Sequence, residues 1–138
     1  SDVCSSDLEL ADFTEQLLVR AALDALAIAG KAGEVVAGFA KVEAALVRDR
    51  VVALLHAAEA ARDGVKKLNR VLGARDDASQ IEMIPCFLTA QLDLALGRSN
   101  VVHAALLAGP ANDTFLARLA RLERFGSAQG TKAVRAAG

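Results

Sequence analysis

The chain has no tryptophan and no tyrosine, and only five phenylalanines among its 138 residues. That excludes recognition surfaces that stack bases on a sheet of aromatic rings. Cysteine is nearly absent too: Cys4 and Cys86 stand far apart in unlike contexts, which argues against a disulfide framework. Two isolated histidines, His56 and His103, complete no metal-ligand spacing with them, so neither a metal nor a cofactor is expected. No uncharged run approaches the roughly 20 residues of a membrane span, and the acidic start lacks a basic-then-apolar signal pattern. The cytoplasm is the expected location, with no membrane partner. Charge is scarce in sum, at a formal −1.

What is present is alanine, at 30 positions, together with 41 Leu, Ile, Val and Phe residues, enough for one folded domain. The net charge also hides an asymmetry. Residues 1–24 hold six acids and one base, whereas residues 25–138 hold fifteen bases and eleven acids. A small domain of about +4 therefore follows an acidic lead-in.

Residues 1–9 read as a disordered lead-in, and Ser1–Leu8 resembles translated sequencing-adapter sequence, which makes it a candidate foreign segment. From Leu10 a helical stripe runs through Phe13, Leu17, Ala21, Ala25 and Ile28 to a stop at Gly30. A short strand over Glu34–Ala37 lies between Gly33 and Gly38, and a helix follows with Phe39, Val42, Ala45 and Leu46 on one face. Val51–Ala58 is an uncharged run of the kind a doubly covered strand needs. Ala60–Leu72 is an amphipathic helix with Arg62, Lys66 and Arg70 outside and Lys67 beside them. After a polar loop, Ile81–Phe87 forms a strand that Pro85 ends or confines to an edge. Thr89 can cap a helix that Gly97 terminates; Asn100–Leu107 is the last strand, and Asn112 or Asp113 caps the last helix. Residues 126–138 read as a flexible tail. Helices alternating with strands define an α/β chain, a three-layer α/β/α sandwich with a four-stranded mixed sheet over residues 10–125.

Catalytic constellations fail one after another. Gly30-Lys31 is not a Walker A loop, because Ala25 occupies the required earlier glycine position and Ala32 follows the lysine. No Ser or Cys sits in a nucleophile elbow; Cys86 and both histidines read as packed residues, and the carboxylates form no obvious pair. An enzyme would require a pocket gathering His56, Glu59 and Asp93. No catalysis is expected.

The basic residues carry more information. The Arg62/Lys66/Lys67/Arg70 face fits a solvated helix surface as well as a nucleic-acid contact. Lys31-Ala32-Gly33 and Gly38-Phe39-Ala40-Lys41 bring a lysine, two glycines and a helix start together, the ingredients of a phosphate contact. The same glycines also suit plain turns around a short strand.

At this segment the chain resembles the kink-turn-binding ribosomal L-seven-Ae/L-thirty-e superfamily, in its bacterial branch in which the domain follows a YlxR-type domain. The carrying stretches are Leu23–Gly33, Val36–Phe39, Val51–Leu72 and Leu94–Leu106. The resemblance implies a non-catalytic domain that binds structured RNA, ribosomal RNA among the candidates. RNA would lie against the start of the second helix, the end of the long strand and the loop before the last strand. By matched position these are Lys31, Gly33, Gly38, Phe39, Ala40 and Lys41; Ala58 and Glu59; and Arg98, Ser99 and Asn100. Kink-turn binders carry Gly-x-Asn-Glu and a further lysine, where this chain has Ala40 for Asn, Lys41 for Glu and Ala44 for that lysine. The base-reading side chains are replaced, which leaves contacts led by backbone and phosphate. Convergence of Lys31, Lys41 and Arg98 on one rim favours RNA binding; dispersal favours a protein-interaction or scaffold domain of the same fold.

Overall fold

The computed structural model describes the backbone of residues 2–137 and the side chains of residues 13–126. Nine elements alternate as expected: α1 (Asp2–Lys31), β1 (Val35–Ala37), α2 (Phe39–Arg48), β2 (Val51–His56), α3 (Arg62–Gly73), β3 (Glu82–Ile84), α4 (Thr89–Leu96), β4 (His103–Leu107) and α5 (Pro110–Ala137). Ala78–Gln80 adds one 3₁₀ turn. Helix α1 takes in residues of the expected lead-in, and α5 runs on through most of the expected tail; the side chains of 1–12 and 127–138 lie outside the described residues.

The strand order is β1-β4-β2-β3, with β4 antiparallel to both neighbours and β3 parallel to β2. Helices α1, α4 and α5 cover one face, where Ala53, Leu55, Ile84, Ala104 and Leu106 pack with Leu26, Leu92 and Phe115. Helices α2 and α3 cover the other, where Val51, Leu54 and Ala105 meet Val42, Leu46 and Leu68. This is the expected three-layer sandwich with a mixed sheet.

Side-chain volume is balanced across the central pair of strands. Ala53 opposes Leu106, Leu54 opposes Ala105, and Leu55 opposes Ala104, so each rung joins one leucine to one alanine. Val52 is an extra residue, since Val51 pairs with Leu107 while Ala53 pairs with Leu106. This bulge lets Val51 and Leu54, an odd three positions apart, face the same helical layer.

Three strands are shorter than the apolar runs predict. β2 stops at His56 rather than Ala58, β3 covers 82–84 rather than 81–87, and β4 starts at His103 rather than Asn100. The runs continue because Ala57, Phe87 and Val101 remain buried in the loops beyond the ladder. Pro85 does end β3, which is an edge strand. Cys86 is exposed rather than a core residue.

Helix α5 begins at Pro110, whose missing N–H costs nothing in a first turn. Asn112 is fully buried within the first turn and ties α5 to the end of β4 and to the residue before β1. Its Nδ2 donates to the carbonyls of Glu34 (2.8 Å) and Leu107 (2.6 Å), and its backbone N–H donates to Glu34 Oε1 at 3.0 Å. Asn112→Ala strips donors from two carbonyls and is expected to cost about 1–3 kcal/mol. Urea denaturation checks this as a lower midpoint at unchanged slope.

Candidate functional site

The C-terminal ends of β1 and β2 and the N-terminal end of β4 meet at one edge of the sandwich. Gly38 N–H donates to His103 O at 3.0 Å, and Ala57 N–H donates to Val102 O at 2.8 Å. The start of α2, the turn after β2 and the loop before β4 are thereby placed side by side. A shallow cavity of about 300 Å³ opens there, lined by Ala37, Gly38, Arg98, Ser99, Asn100 and Val101.

Gly38 precedes α2 at φ 102° and ψ 144°, a conformation from which a Cβ is nearly excluded. No side chain caps this helix, and its first turn contains no acid but does contain Lys41. The free amides of Phe39, Ala40 and Lys41 therefore form an electropositive helix start open to solvent. Ala40 and Lys41 are exposed, while Phe39 is half-buried and turns its ring edge to His103.

The opposing loop is held from beneath by Asp93. Its carboxylate accepts from the amides of Asn100 (3.0 Å) and Val101 (2.6 Å), and Arg98 N–H donates to the Asp93 carbonyl at 3.1 Å. Gly97 ends α4 in the left-handed region, as its sequence position predicts, and Asn100 enters the same region at φ 60°. Arg98, Ser99 and Asn100 are left exposed at the cavity edge.

Two of the sequence-derived candidates lie elsewhere. β1 runs from Glu34, whose carbonyl accepts from Leu107 N–H, to Gly38 beside His103. Lys31 and Gly33 precede that strand, so about 10 Å of β1 separates them from the α2 start. The next residue, Glu34, bonds to Asn112 in the first turn of α5. Gly38, at the start of the helix that carries Lys41, thus lines one cavity with Arg98, and Lys31 is not among the lining residues.

Ala58 and Glu59 are exposed in the turn after β2, but the Glu59 side chain is occupied. Its Oε1 accepts from the Thr89 amide (2.9 Å) and hydroxyl (3.1 Å), which caps α4 from outside the helix. The Thr89 amide foremost holds the Glu59 carboxyl below its ordinary value. The Gln91 side chain accepts from Leu88 N–H, so Thr89 is capped rather than capping. Glu59 and Asp93 lie near enough to repel each other weakly, but each carboxylate is bonded to its own backbone amides, while His56 pairs with His103. Although Cys86 as a residue is exposed, partial desolvation of its thiol, and then Glu123, push it up to about 11.

Beneath the rim lies a histidine pair that sequence reasoning missed. His56 and His103 are directly opposed across β2 and β4, and their Nδ1 atoms are 2.9 Å apart. One Nδ1 must donate and the other accept, so the accepting ring is neutral. His56 is lowered to about 4, first by burial and then by the neighbouring His103; burial also lowers His103. His56 Nε2 has no hydrogen-bond partner, and the Asn69 amide beside it opposes the shift only weakly. Both histidines are packed strand residues as expected. Their pairing across 47 residues depends on strand register, which leaves no local signal.

No family profile matches the chain, and no curated protein matches it significantly. Solved structures do share its α/β fold. One, a protein of unknown function from Bacillus halodurans, superposes with TM-score 0.61 at 20% identity, covering 72% of this chain and 96% of that one. Another, the Giardia lamblia 15.5kD RNA binding protein, superposes with TM-score 0.58 at 14% identity, covering 78% of this chain and 89% of that one.

The histidine pair makes stability depend on pH. An unfolded histidine takes up its proton near 6.5, whereas His56 in the fold resists until about 4. Within that window the unfolded chain binds more protons, so stability is full above about 6.5 and falls as pH drops towards 4. Thermal melts are expected to shift downward steadily from pH 7 to pH 4. A His56→Gln, His103→Gln double variant, which cannot titrate there, is expected to give a flatter profile.

Proposed function

We propose that this chain binds structured RNA, without catalysis, at the rim formed by Gly38–Lys41 and Arg98–Asn100. The observation that carries this reading is the juxtaposition of an uncapped, acid-free helix start with a cationic loop across one open cavity. Backbone amides and two cations suit phosphate oxygens, and Gly38 lets the RNA backbone approach closely. Ala40 offers no polar group to a base, so phosphate contacts dominate over sequence readout. The fold shared with an RNA-binding protein supports the reading, as does the resemblance to the L-seven-Ae/L-thirty-e superfamily in its YlxR-associated bacterial branch. Ribosomal RNA in the cytoplasm is the proposed target. No described helix is long and apolar enough to cross a membrane.

A protein-interaction domain is the second reading. Exposed apolar side chains favour it: Phe13 and Leu17 on α1, and Leu94 on α4, which is 88% exposed.

Filter binding to structured RNA over a salt series separates the two. For about four neutralised phosphates, log affinity is expected to fall against log salt with a slope of −3 or steeper. The Lys41→Ala, Arg98→Ala double variant is expected to weaken all RNAs alike and to flatten the slope by roughly 2. Lys31→Ala should change little. No binding at ~50 mM salt, or binding indifferent to salt, contradicts RNA binding and favours a protein partner.

A further inference from the structure

Helix α3 carries four cations, Arg62, Lys66, Lys67 and Arg70, against one acid, Asp63. All five side chains are exposed, and none of them enters an ion pair among the described residues. At 100° per residue, Arg62, Lys66 and Arg70 form a slowly drifting row with a rise of about 6 Å between neighbours. Lys67 flanks it. On the opposite side Leu68 and Leu72 are locked into the core with Val42, Leu46 and Leu54, so the row cannot roll out of view.

Folding alone does not account for this row. Arg62–Lys66 and Lys66–Arg70 are like-charge pairs at i,i+4 spacing, which destabilise a helix. Arg62 also stands in the first turn, where the helix macrodipole disfavours a cation. Asp63 in the first turn and Arg70 in the last suit the macrodipole, but the row itself gains no ion-pair partner among the described residues.

The row also begins beside the rim. Gly64, in the first turn of α3, lies against the His103 ring so closely that a Cβ there would come within 2.9 Å of Nε2, and 3.9 Å from Phe39. α3 therefore starts next to the start of α2 and leads away along the outer face of the α2/α3 layer.

We propose that α3 is a second contact strip for the same RNA, with the strand leaving the rim running along Arg62, Lys66 and Arg70. This inference rests on the RNA reading of the rim. The 6 Å steps approach the separation of successive phosphates, and flexible cationic stems bind phosphates as point charges without reading bases. The RNA must therefore extend past the segment seated at the rim.

The test compares the full chain with an Arg62→Ala, Lys66→Ala, Arg70→Ala variant on two RNAs. One is a stem-loop containing an internal loop; the other is that RNA trimmed to the internal loop and its closing pairs. Because the three side chains are exposed, the variant is expected to melt no lower than the parent. On the long RNA its salt slope should flatten by about 2 to 3, and its affinity should fall at least tenfold at moderate salt. On the trimmed RNA it should bind as the parent does. Unchanged affinity and slope on the long RNA overturn the strip, and the rim stands if the Lys41/Arg98 variant still loses binding. Loss of binding in the α3 variant with none in the Lys41/Arg98 variant keeps the strip and overturns the rim. A parent chain that binds neither RNA overturns both.

Discussion

The backbone of His103 accepts the Gly38 amide while its ring meets His56 and the edge of Phe39. Through this residue the sheet fixes where α2 starts, and so where the chain presents free amides. The pairing also sets the distance between the α2 start and the Arg98–Asn100 loop, because that loop leads directly into β4. Gly64 has no side chain beneath the same ring, which brings α3 in alongside. A charged imidazole could not be accommodated here without solvent or a counter-ion. Burial instead disfavours the charged form of both histidines, and the opposed His103 lowers His56 further.

The central strands impose the second constraint. β2 and β4 are covered on both faces, so they tolerate little beyond uncharged side chains, and chemistry is displaced to their ends. The leucine–alanine rungs keep the layer thickness constant, and the Val52 bulge corrects the phase of β2. Abundant alanine has a structural use here: it lets strands and helices carry leucine opposite without overfilling the core. The near-zero net charge is similarly uninformative about partners, because it averages an acidic start with a basic remainder that includes the four cations of α3.

The order of helices and strands was legible from periodicity because each helix has one apolar stripe and the two central strands are uncharged. Strand ends were not, since Ala57, Phe87 and Val101 stay buried after the ladder stops. Gly38 and the Arg98–Asn100 loop, picked out by residue type and by the resemblance, do line one cavity. Lys31 and Gly33 lie apart from that cavity for a geometric reason: β1 separates them from the start of α2. The resemblance matches Glu59 to an RNA contact and gives Asp93 no partner, yet each satisfies backbone amides of a segment that sequence alone does not bring near. The histidine pair was hidden for the same reason, as it exists only in the register of β2 against β4.

Amide chemical shifts during titration with a structured RNA test the central claim most directly. The rim account predicts that Phe39, Ala40, Lys41, Ser99 and Asn100 shift together at low salt and return as salt is added, while Lys31 and Gly33 stay in place. Shifts confined to Lys31, Gly33 and the start of α5, or shifts nowhere in the chain, would contradict it.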